Sequence, residues 1–97
     1  MNTTINAVKF KADEKLEKFI AEKIAKIDRL VDNATKCEVT LKVDKPESDN
    51  NKIAEINLAL PGQNLFNSKQ ANSFEEAVSE CVDTLKTQIE KYKERNH

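Results

Sequence analysis

Two stretches of strict alternation, separated by one polar loop, constrain this chain more than any other feature. In residues 37–43, Cys37, Val39, Leu41 and Val43 alternate with Glu38, Thr40 and Lys42; in residues 53–60, Ala54, Ile56, Leu58 and Leu60 share one face. A period of two is the mark of a strand buried on one side only. The intervening DKPESDNNK (44–52) is polar, acidic and broken by a proline, so it reads as a solvated loop. Two such strands expose an apolar face that the rest of the chain must cover.

The cover is supplied by two amphipathic helices. Asp13 is placed to cap the first, which runs to about Val31 with Glu14 in its first turn and ends at Asp32-Asn33. Its apolar stripe is Leu16, Ile20, Ile24, Ile27 and Val31. Ser73, with Glu76 three residues on, is a capping-box pattern opening a last helix whose stripe is Phe74, Ala77, Val78, Cys81, Val82, Leu85, Ile89 and Tyr92. TTINAVKF (3–10) reads as a first strand and NLFNSKQA (64–71) as a weaker fourth, after a turn at Pro61-Gly62.

The order β-α-β-β-β-α predicts an α+β, two-layer sandwich. The last three strands form an antiparallel meander, and the first joins the second in parallel through a right-handed helix crossover. Both helices then lie on one face of a four-stranded sheet. The 97 residues make a single domain without linker or repeat.

Several function classes lose support at this point. One glycine leaves no glycine-rich phosphate loop, and few aromatics leave no stacking platform for single-stranded bases. No apolar run approaches the roughly 20 residues of a membrane span, and MNTTINAVKFK has no apolar signal core, which points to the cytoplasm. Cys37 and Cys81 fit no metal or redox spacing and read as reduced structural thiols, Cys81 on the apolar face of the last helix. His97, the only histidine, is the terminal residue and a poor base or ligand. No carboxylate is paired with a base or nucleophile, so no catalytic residue, metal site, cofactor or small-molecule substrate is indicated.

The remaining signal is charge. Formal net charge is -1, so only charge gathered on one face can attract a polyanion. Lys15, Lys18, Lys26 and Arg29 occupy about 80° of the first helix, opposite its apolar stripe, with Glu22 among them. The last helix is acidic in its first half and crowded with Lys91, Lys93 and Arg95 at its end. Taken alone these charges read first as solvated faces: end charges complement the helix dipole, and Glu22–Lys26 and Lys86–Glu90 have the spacing of helical ion pairs.

Three stretches give a resemblance across essentially the whole chain: LEKFIAEKIAKIDRLVD (16–32), CEVTLKVDK (37–45) and FEEAVSECVDTLKTQIEKYKE (74–94). With KIAKIDRL (23–30), and Ala77, Leu85 and Gln88 in register, the chain resembles the short ribosome hibernation-promoting factors of the protein Y, or sigma-54 modulation, family. The resemblance implies a fold like that of double-stranded RNA-binding domains. It also implies binding to the small ribosomal subunit between head and body, where the protein blocks messenger RNA and the A- and P-site transfer RNAs in stationary or starved cells. Lys23, Lys26 and Arg29 match basic positions of the family's first helix and Lys91 one near the end of its last; Lys18, Lys86 and Lys93 are neighbours of suitable charge. These seven are the expected rRNA-binding residues.

The chain departs from the family at Thr84 and Thr87, where relatives commonly carry Lys or Arg, and at Asn72-Ser73-Phe74, which replaces Asp-Met-Tyr. Residues 1–97 are expected to be one ribosome-binding domain without the C-terminal dimerisation domain of long members. A second small ribosome-pairing factor is then the implied partner for any pairing of ribosomes. The alternative is a general structured-RNA or protein-interaction module of the same fold.

Overall fold

A computed structural model describes residues 1–95 of the chain. The elements are β1 (Asn2–Ala7), α1 (Glu14–Leu30), β2 (Lys36–Val43), β3 (Lys52–Leu60), β4 (Gln63–Ala71) and α2 (Phe74–Arg95), and the sheet order is β1-β2-β3-β4. β1 pairs with β2 in parallel, Ile5 opposite Val39, and β2–β3 and β3–β4 are antiparallel. The expected α+β architecture and element order are those observed. The terminal His97 lies outside the described residues.

The alternating positions do what their period requires. Cys37, Val39, Leu41, Ala54, Ile56 and Leu58 are fully buried beneath the helices, while Glu38, Thr40, Glu55 and Asn57 face the other side. From above, Ile20, Ile24 and Ile27 of α1 and Val78, Cys81, Val82, Leu85 and Ile89 of α2 complete a single core. Asp13 caps α1 by accepting the Leu16 N–H at 2.8 Å, and Ser73 Oγ accepts the Glu76 N–H at 3.1 Å. Gly62, at φ +83°, follows Pro61 in a two-residue connection between Leu60 and its partner Gln63. A proline with fixed φ followed by a residue at positive φ is what a type II turn needs.

Three details depart from the sequence reading. The first strand stops at Ala7 rather than residue 10, because Lys9 takes a left-handed conformation (φ 63°) that turns the chain. Phe10 is thereby released to stack on Phe74, ring centroids 5.1 Å apart. Val43, placed by alternation on the buried face, is 36% exposed at the very end of β2. The fourth strand is as long as β3, and its open edge is partly guarded from α2, since Gln88 Nε2 donates to the Phe66 carbonyl at 3.0 Å.

Strand directions fix those of the helices. β1, β2 and β4 run the same way, α1 follows β1, and α2 follows β4 through two residues. Each helix returns across the sheet against its own strand, so the two are parallel to one another. Contacts at both ends agree: Phe10, before α1, meets Phe74 at the start of α2, and Asn33, after α1, donates to the Tyr92 hydroxyl at 3.1 Å.

Both cysteines are free and buried, and burial is the main force pushing each thiol from 9.0 up to about 11; Glu38 adds to the rise at Cys37. At Cys81 the nearby Lys69 opposes the rise, and its Sγ donates to the Ala54 carbonyl at 3.0 Å. The unfolded chain ionises these thiols first, so their contribution leaves stability flat below pH 9.0 and lowers it from there toward about 11. Urea unfolding at about pH 8 and about pH 10 should show a fall that shrinks in the Cys37→Ala/Cys81→Ala variant. An equal fall in both proteins would assign the effect to other groups.

Candidate nucleic-acid interface

Because the helices are parallel, their C-terminal halves lie side by side. Between them runs an open groove of about 350 Å³, lined by Lys26, Arg29 and Leu30 of α1 and by Lys86, Ile89, Glu90 and Lys93 of α2. Spacing explains the selection: Lys26, Arg29 and Leu30 are three or four residues apart, as are Lys86, Ile89 or Glu90, and Lys93, so each set forms one helix ridge. Four cations and one carboxylate thus rim a floor that includes Ile89 and the 37% exposed Leu30.

The ion pairs among the described residues lie elsewhere: Lys36–Glu38 at 3.2 Å and Lys42–Glu55 at 2.9 Å on the outer sheet face, and the Met1 ammonium with Asp28 at 3.9 Å. Among the described residues, no carboxylate is paired with Lys26, Arg29, Lys86 or Lys93. Neither spacing that permits a helical pair, Glu22–Lys26 or Lys86–Glu90, closes into one. Positive charges left in the open beside low-dielectric walls give a local field that net charge conceals.

The groove gathers four of the seven residues expected to contact RNA and leaves three apart. Lys18 and Lys91 are exposed on other parts of their helices, as is Lys15. Lys23 is half-buried, one turn before Lys26, with its ammonium 5.5 Å from the centre of the Phe19 ring. That contact orients it along the apolar edge, consistent with a long side chain reaching outward over a ring. Sequence reasoning missed Leu30, Ile89 and Glu90 as groove residues. Leu30 carried a faint signal, being apolar yet just off the buried stripe.

Among the described residues, no group of three or more His, Cys, Asp or Glu side chains is placed to hold a metal ion, and no helix is long and apolar enough to cross a membrane. What the arrangement offers is a cleft rimmed by four cations and one carboxylate.

The model of the family described as "Sigma 54 modulation protein / S30EA ribosomal protein" matches residues 3–97. The chain belongs to this family. Comparison with curated proteins gives no match. Among solved structures, the chain is similar to a ribosomal subunit interface protein from Coxiella burnetii, with TM-score 0.86 and 20% identity over 96% of this chain and 98% of that one. It is also similar to the N-terminal domain of Thermus thermophilus Protein Y, with TM-score 0.79 and 22% identity over 95% and 99%. At such identities the likeness establishes the shared fold; the family assignment rests on the sequence match.

The groove's width depends on what joins the helix ends. The Asn33–Tyr92 hydrogen bond spans them, and a neutral bond of this kind contributes about 1 kcal/mol. Asn33→Ala should therefore lower stability by about that amount in urea unfolding, and should raise amide exchange in the last turns of α1 and α2 more than at their N-terminal ends. Uniform exchange changes along both helices would show that the bond does not hold this end.

Proposed function

We propose that this protein is a ribosome hibernation factor of the sigma-54 modulation family. In this reading it binds the decoding region of the small subunit through rRNA, and blocks messenger RNA and the A- and P-site transfer RNAs. The observation that carries the reading is the convergence of Lys26, Arg29, Lys86 and Lys93, in no ion pair among the described residues, in one groove of a chain that matches the family over residues 3–97. The structural relatives, one a ribosomal subunit interface protein, support the same partner.

The mechanism is steric. A compact wedge meets phosphates and 2′-hydroxyls through its cationic helical side and recognises the shape of folded RNA. Lys18, Lys23 and Lys91 extend the contact beyond the groove, and no chemical step is involved. The protein acts in the cytoplasm, under stress or in stationary phase, as one ribosome-binding domain over residues 1–97.

Co-sedimentation with 30S subunits tests the proposal. Binding should saturate, compete with initiator transfer RNA and weaken steeply as salt rises, because each phosphate contact releases counterions. Lys26→Glu with Arg29→Glu should weaken binding by at least about tenfold while the protein stays folded, since both side chains are exposed and in no ion pair among the described residues and reversing Arg29 against the helix dipole costs only about 1 kcal/mol. Binding to any RNA duplex as well as to the subunit would favour a general RNA-binding module. Wild-type sedimentation of the double variant would remove the groove from the interface.

A further inference from the structure

Two features of the groove are poorly suited to a smooth phosphate backbone. The first is its floor: Leu30 is 37% exposed at the edge of the core, next to the buried Ile89, and apolar surface in water gains nothing from a phosphate or a ribose hydroxyl. The second is Glu90, a carboxylate on the same rim, held in no ion pair among the described residues. A carboxylate only accepts hydrogen bonds and repels a phosphate, so in a plain backbone-binding cleft it opposes the four cations around it.

Both features fit one occupant. A nucleotide turned out of its helix carries an apolar ring face, a polar base edge and a phosphate at either side. The cleft's volume of about 350 Å³ falls in the range that encloses a small ligand. Resting on the RNA-binding reading above, we propose that the groove seats a single extruded nucleotide. Its base lies on Leu30, its flanking phosphates lie on Lys26, Arg29, Lys86 and Lys93, and its Watson–Crick edge meets Glu90.

The carboxylate also selects the base. Guanine presents two neighbouring donors, N1–H and the N2 amine, which match the two oxygens of Glu90 in parallel. Cytosine and adenine offer one amine beside an acceptor nitrogen. Uracil offers one imino group between two carbonyl oxygens that repel the carboxylate. Guanine is therefore preferred and uracil least accepted. Recognition by base edges of unpaired nucleotides, with phosphate contacts setting position, is how proteins commonly obtain selectivity on RNA.

The test uses the whole protein and three short RNA hairpins: fully paired, with a single bulged guanosine, and with a single bulged uridine. Fluorescence anisotropy should show the bulged guanosine bound about tenfold more tightly than the bulged uridine, the discrimination expected of one bidentate base contact. Glu90→Gln removes a negative charge, so it should tighten binding to the fully paired hairpin while erasing most of the preference for guanosine. Leu30→Ser leaves all charges in place and should reduce the advantage of either bulge over the paired stem. Equal affinity for all three hairpins, with binding to 30S subunits intact, would overturn the nucleotide pocket and leave the ribosome reading standing. Failure to bind both subunits and hairpins would overturn the two together.

Discussion

Burial of two helical stripes on one side of a four-stranded sheet is the interaction on which everything else here depends. Cys37, Val39, Leu41, Ala54, Ile56 and Leu58 have no contact with water only because α1 and α2 lie over them. Six such side chains exposed together would cost on the order of 10 kcal/mol in lost transfer free energy, comparable to the whole stability of a small domain. Separation of the helices from the sheet is therefore not accessible to the folded protein. Because each helix follows a strand running in the same direction, that burial also makes the helices parallel, and it is their parallelism that builds the groove.

Parallel helices add their end charges where antiparallel helices would mix them. Glu14, Glu17, Glu75 and Glu76 occupy the first turns, Arg29, Lys93 and Arg95 the last. Each distribution complements its own macrodipole, and this alone accounts for the charges in the terminal turns. It does not account for Lys86, more than two turns before the end of α2, nor for Lys26, which precedes the last turn of α1. The dipole's influence fades within a turn. These two cations stand close to Arg29 and Lys93 with Glu90 as the one carboxylate on the rim, and none of the four is in an ion pair among the described residues, an arrangement that is mildly unfavourable by itself.

Much of the fold was legible because its signals are local. Alternation at 37–43 and 53–60, the Asp13 and Ser73 caps, the Pro61-Gly62 turn and both helical stripes each depend on a few neighbouring residues, and all appear in the structure. Errors fell where a local rule met a boundary. Lys9 shows no composition cue for its left-handed turn, and Val43 keeps the period of its strand after the helical cover has ended. The groove was only half legible, since it combines ridges from elements more than fifty residues apart in sequence, and charge along a single helix does not show which residues will face another. That is why Lys26 and Arg29 were separated from Lys86 and Lys93 in the sequence yet share a cleft, while Lys18 and Lys91, equally basic, do not join them.

Thr84 and Thr87 take on a different meaning once α2 is in place. In the sequence they stand where relatives commonly carry Lys or Arg, which thins the positive charge of the last helix. In the structure neither threonine lines the groove, and α2 supplies Lys86 and Lys93 to match Lys26 and Arg29 from α1. The two helices contribute equally to the cleft, and the threonines thin the charge only on a flank of α2. A protein with net charge -1 gains little from diffuse basicity. Thinning positive charge on the flank of α2 while keeping it in the groove sharpens the local positive field at the cleft, on whose rim Glu90 also stands.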